Sequence, residues 1–99
     1  MSDTDRENLR LDIWLWRARF FKTRALSGKT ITKRGVRITR MGNIHRTKKP
    51  SATVFPSDIL TFSQGSHIQT VEVLALGNRR GPPAEARKLY KDIGEDNDV

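Results

Sequence analysis

The stretch Arg10-Leu11-Asp12-Ile13-Trp14-Leu15-Trp16-Arg17-Ala18-Arg19-Phe20, followed by Lys22-Thr23-Arg24-Ala25-Leu26, decides how the N-terminal half of the chain is read. Leu11, Trp14, Leu15 and Ala18 fall at i, i+3, i+4 and i+7, the spacing of one apolar helix face, and Arg10 and Arg17 flank that face. Phe20-Phe21-Lys22 interrupts the pattern, and Thr23 is placed to N-cap a second helix running to about Lys33. That helix offers Ala25, Leu26 and Ile31 with Gly28 inside it, so its stability has to come from packing on the first. The result is a helix-loop-helix with basic residues on its outer side.

After Gly35 the periodicity changes to two. Val36 and Ile38 alternate with Arg37 and Thr39, which predicts a half-buried strand with Arg37 pointing outward. The segment 41–50 reads as a polar, basic loop. Short strands are expected at about 52–55 and 59–63, separated by Pro56-Ser57-Asp58. Gln64-Gly65-Ser66-His67 turns the chain into a strand over 68–76, where Val71, Val73 and Ala75 alternate with Thr70, Glu72 and Leu74. A loop with Arg79 and Arg80 leads to Pro82-Pro83, which opens a last helix whose apolar face is Ala86, Leu89, Tyr90 and Ile93, with Gly94 in the stop position. Two helices, a run of strands and a final helix make the fold class α+β.

Between Arg10 and Pro50 stand thirteen Lys and Arg residues against one acid, Asp12, whereas the whole chain carries +8. The charge is therefore concentrated in one half, a field suited to a polyanion, above all nucleic acid. At 99 residues the chain is one small domain that buries only about 60–70% of its unfolded surface, which excludes an active site built between two domains. There is no cysteine, which removes disulfides, thiolate zinc sites and Cys nucleophiles and fits a reducing compartment. No apolar run approaches the roughly 18 residues of a membrane span, and the acidic start Met1-Ser2-Asp3-Thr4-Asp5 is unlike a signal peptide, so a cytoplasmic location is expected. The acidic, apolar-poor ends, 1–8 and 94–99, are expected to be disordered.

Arg10-Leu11-Asp12, Leu15, Thr23-Arg24, Ile31, Val36-Arg37-Ile38, Lys49-Pro50-Ser51 and Ser57-Asp58-Ile59-Leu60 together resemble the S4 RNA-binding domain, over residues 9–63. The Trp-Leu-Trp helix joined to Lys22-Thr23-Arg24 is similar to the heat-shock protein 15 group of ribosome-associated bacterial proteins. Arg79-Arg80-Gly81-Pro82-Pro83-Ala84-Glu85-Ala86 with Leu89-Tyr90 extends that similarity through a strand-loop-helix segment, 64–93. The resemblance implies an S4 (alpha-L motif) fold, two N-terminal helices packed on a small antiparallel sheet with a C-terminal helix. It also implies binding to RNA, with contacts at Arg10, Lys22, Thr23, Arg24, Arg37 and Lys49. The partner it implies is ribosomal RNA of the large subunit, with tRNA or nascent-chain complexes as further partners, in a stress or subunit-recycling role. The chain departs from the pattern in carrying Ser27 and Thr30 on the second helix, which weakens its packing face, and Ser57-Asp58 where a Gly-Asp turn is usual. Larger members continue after the distal helix with a basic extension that has no counterpart here, so functions resting on it are not expected.

The residues alone also favour binding over chemistry. No nucleophile-base pair is visible and two distant histidines, His45 and His67, make no metal site, so neither catalysis nor a cofactor is expected. Asp12 reads as an ion-pair or helix N-terminal acid, Trp14 as core, and Trp16, off the apolar stripe, as a stacking candidate. Phe20 and Phe21 are expected to close the core between the helices. The competing readings are an RNA-modifying enzyme, for which the chain is too short; a DNA binder using the helix pair; and a membrane-surface binder using Trp16, Phe20 and Phe21 beside its cations. The favoured reading is a monomer that binds structured RNA and not a membrane.

Overall fold

The first helix is capped by backbone and not by a side chain. Arg10, its N-cap, makes no side-chain cap bond; instead the Leu11 N–H donates to Ala52 O at 2.7 Å and the Asp12 N–H to Pro50 O at 3.1 Å. Two of the N–H groups every helix start leaves unpaired are thereby satisfied by a segment distant in sequence. The computed structural model describes residues 6–94, so most of the expected disordered ends, 1–5 and 95–99, lie outside the described residues. In it, β1 (Leu9–Arg10) leads into α1 (Leu11–Arg17), followed by α2 (Arg24–Arg34), β2 (Val36–Arg40), β3 (Asn43–Thr47), β4 (Thr53–Val54), β5 (Ile59–Gln64), β6 (His67–Val73), α3 (Pro83–Ala86), a 3-10 turn (Arg87–Leu89) and β7 (Tyr90–Asp92).

The strands form a five-stranded antiparallel sheet in the order β3-β2-β5-β6-β7, and β1 and β4 make a two-stranded ribbon with Leu9 opposite Val54. One face of the large sheet is apolar: Val36, Ile38, Leu60, Phe62, Val71 and Val73 are buried and meet Leu11, Trp14 and Leu15 of α1. Phe20 and Phe21 close this core as expected, Phe20 lying edge-on to Phe62 at 5.0 Å and tilted against Tyr90 at 4.7 Å. Trp14 is fully buried and its indole N–H finds Ala75 O at 2.9 Å, the partner a buried indole requires. The fold is α+β, two N-terminal helices on an antiparallel sheet with a C-terminal helix. No helix among the described residues is long and apolar enough to cross a membrane.

Two segments differ from expectation. The basic loop expected over 41–50 is in part a strand: Met41 (φ 52) and Gly42 (φ 81) both take positive φ, the requirement of a type I′ turn, and fold β3 back along β2. Its residues 43–46 are exposed, so no hydrophobic alternation announces it. The C-terminal helix forms for one turn, after which Tyr90–Asp92 pairs with β6. Four apolar residues suit a short helix or a strand about equally, and the open edge of β6 offers backbone hydrogen bonds that a longer helix here would leave unmade.

Asp58 is the buried acid that ties these parts together. It is 1% exposed, receives Arg40 bidentately at 2.8 Å on both oxygens, and accepts the Phe55 N–H at 2.9 Å. Ser57 beside it holds φ 82, so the left-handed turn usual with glycine is kept, fixed by its N–H to Val73 O at 2.7 Å. Asp58→Ala removes both of its hydrogen bonds from the Arg40 guanidinium and leaves the Phe55 N–H without its acceptor, and is expected to lower stability by about 3 kcal/mol, Asp58→Asn by less. Urea unfolding followed by tryptophan fluorescence measures both.

Candidate nucleic-acid interface

Helix α2 is held by few apolar contacts and by one buried hydrogen bond. Thr23 caps it, its Oγ1 accepting the Leu26 N–H at 3.0 Å. Ser27, fully buried, donates its hydroxyl to Asp12 O on α1 at 2.9 Å, and Ile31 packs into the core. The serine expected to weaken this face therefore joins the two helices. Thr30 turns its hydroxyl back to Leu26 O within its own helix. Gly35 ends the helix at φ 79, ψ 166, a region open essentially to glycine alone.

With its inner side so fixed, α2 presents Arg24, Lys29, Lys33 and Arg34 outward, all exposed. Of the thirteen cations between 10 and 50, Arg10 and Arg40 sit on carboxylates, and Arg17 and Arg19 donate to the carbonyls of Gly77 and Gly81. The nine others, Lys22, Arg24, Lys29, Lys33, Arg34, Arg37, Arg46, Lys48 and Lys49, are exposed and have no side-chain partner among the described residues. Their placement is unfavourable for the isolated protein. Arg24 stands at a helix N-terminus, where the dipole disfavours a cation; Lys29 and Lys33 are like charges at i, i+4; and Arg37 lies directly opposite Arg46 across β2 and β3. A bound polyanion turns each of these costs into an attraction.

The six expected contact residues fall around α2 and not at one point. Arg10 and Arg24 share an open cleft with Lys29, Lys33 and Pro50, and Lys49 precedes that proline. Arg37 lies at the far end of α2 with Arg34 and Arg46. Lys22 lines a separate cleft on the other flank. The Thr23 oxygen is spent as a cap acceptor, which leaves its hydroxyl hydrogen to donate outward. Arg10 is the least available: Asp12 takes its Nε and Nη2 at 3.0 Å each, and that hydrogen bonding, then the charge of Asp12, raises the guanidinium pKa. Asp12 is thus both the ion-pair acid and the first-turn acid it was expected to be.

Lys29, Lys33, Arg34 and Arg46 were not among the expected contacts. The first three carry a signal in their i, i+4 and i, i+5 spacing along one helix side. Arg46 becomes legible only when Met41-Gly42 is read as a hairpin turn, which sets it opposite Arg37. Trp16 is half-buried, with the Arg80 guanidinium 6.0 Å from its ring and bonded to its carbonyl at 3.1 Å. Among the described residues no group of three or more His, Asp or Glu could hold a metal ion.

Heat shock protein 15 of Escherichia coli K12 is 39% identical to this chain over 98 residues, 96% of this chain and 68% of that protein. The heat shock protein 15 homolog of Haemophilus influenzae is 32% identical over 89 residues, 87% of this chain and 62% of its own length. A trimeric structure of Vibrio cholerae heat shock protein 15 matches with a TM-score of 0.74 at 33% identity, covering 89% of this chain and 84% of that one. No protein-family model matches.

The Thr23 cap can be tested alone. Thr23→Ala removes the acceptor for the Leu26 N–H and is expected to cost about 1 kcal/mol in urea unfolding, Thr23→Ser much less.

Proposed function

The chain belongs to the heat shock protein 15 family, and on that footing we propose that it is a non-catalytic RNA-binding protein of the cytoplasm that docks on structured ribosomal RNA of the large subunit. The observation that carries this reading is the set of nine exposed cations without a side-chain partner among the described residues, six of them on α2 and the β2–β3 hairpin and three flanking these elements, with Arg37 set against Arg46. Structured RNA is recognised largely through phosphates, 2′-hydroxyls and shape, which a rigid basic surface can do without reading bases. Lys22, Arg24, Arg37 and Lys49 supply phosphate contacts, Thr23 a hydroxyl donor, and Arg10 a guanidinium already aligned by Asp12.

A membrane-surface role is less well supported. Phe20 and Phe21 are buried and Trp16 is partly covered by Arg80, so the aromatic face such a binder inserts is not presented. The proposed role is ribosome-associated, in stress response or subunit recycling. The RNA-binding unit proposed is the monomer, which light scattering of the free protein tests.

If the cluster engages six to eight phosphates, log K for RNA falls linearly with log salt with a slope of roughly −4 to −7. Arg24→Ala and Arg37→Ala are each expected to weaken binding by about 1 kcal/mol or more without altering the fold, while Arg87→Ala, exposed beyond α3, leaves it unchanged. A flat salt dependence in filter binding, or equal losses at all three positions, refutes a phosphate-clamping site here.

Sucrose-gradient sedimentation addresses the target. The protein is expected to travel with large subunits, more so after heat stress, and to leave that fraction on Arg24→Ala. Exclusive migration with small subunits overturns the target while leaving RNA binding standing.

A further inference from the structure

On the flank of α2 away from Arg10 and Arg24, between that helix and the β5–β6 hairpin, runs an open cleft of about 620 Å³. Its exposed apolar surface is Leu26, 44% exposed, with the edge of the buried Phe21 beneath it. Its rim is cationic, carrying Lys22, Lys29, Lys33 and Arg34, and no acid lines it. An exposed leucine ringed by four lysine and arginine side chains has no role in the core.

We propose that this cleft takes one unpaired nucleotide, extruded from the RNA whose paired backbone lies along α2; this rests on the RNA-binding reading above. A nucleobase has a flat apolar face and carries a phosphate on either side, so it matches an apolar floor between cations, whereas an acidic peptide brings charge without the flat surface. Lys29 and Lys33 line both this cleft and the one holding Arg10 and Arg24, so the backbone can cross α2 at those two residues. On the opposite wall Gln64 spends one amide hydrogen on Phe20 O at 2.8 Å and keeps the other for a base edge.

The test compares a short, fully paired RNA hairpin with the same hairpin carrying a one-uridine bulge, by fluorescence anisotropy at fixed salt. Removing a base face and the exposed Leu26 from water implies that the full chain binds the bulged hairpin about five-fold more tightly. Leu26→Ala, at an exposed position, should bind the paired hairpin as the parent does and lose the preference. With 4-thiouridine in the bulge, the photo-cross-link should map to the peptide holding Phe21 and Leu26. Equal affinity of the parent for both hairpins, a preference that survives Leu26→Ala, or a cross-link to another element overturns the cleft and leaves general RNA binding intact. Binding to neither hairpin overturns both.

Discussion

The contact between Asp58 and Arg40 is the joint on which this small domain turns. Arg40 ends β2, Asp58 begins the approach to β5, and the same guanidinium donates to Thr53 O of β4 at 3.0 Å. One buried carboxylate therefore fastens the five-stranded sheet to the two-stranded ribbon that carries β1 and the start of α1. The Phe55 ring contacts the guanidinium of Arg40 at 4.6 Å and that of Arg6 at 4.2 Å, a cation–π pairing beside the ion pair. A buried ion pair adds little net stability over an apolar substitute, but it tolerates few alternative arrangements. Here it sets the end of β2, and through β2 the position of Arg37.

That rigidity matters because the opposite side of the molecule works against itself. Unpaired cations along α2, like charges at i, i+4 and arginines facing across a hairpin each cost on the order of a few tenths of a kcal/mol. A domain of this size has a modest core, so such costs are tolerable only if the elements bearing them are fixed from behind. Ser27 and Ile31 anchor α2, and Val36 and Ile38 anchor β2, all from the face turned away from the charges. Core packing and exposed charge are thus separated by side of element, not by region of chain.

How much of this could be read from residues follows the same division. Elements with a buried face were legible: α1 from its apolar spacing, β2 from alternation, and the Thr23 cap from its residue type. The strand β3 has exposed residues along most of its length and a turn of Met41-Gly42 instead of the more telling Asn-Gly, so neither periodicity nor turn chemistry marked it. The segment from Arg87 to Asp92 reads from its own residues as a continuing helix and is instead a 3-10 turn and a strand, because the free edge of β6, a partner outside its own sequence, decides the outcome. All six expected contact residues are exposed, five as cations and Thr23 at the α2 cap, but the pairing of Arg37 with Arg46 needed the hairpin. Ser27 was misjudged because a hydroxyl in an apolar slot counts against packing until its acceptor, Asp12 O, is known.

The start of α1 also depends on a segment that is made much later in the chain. Its first N–H groups are paired by Pro50 and Ala52, and Leu9 pairs with Val54, contacts that close a loop of about forty residues. The hairpins β2–β3 and β5–β6 close over two-residue turns and carry almost no such entropic cost. As the chain emerges during synthesis, the basic helices appear before the segment that anchors them. Arg10 and Arg24 share their cleft with Pro50, and Lys49 stands next to that proline, so these cations take their final relation to one another only once the long-range closure is made.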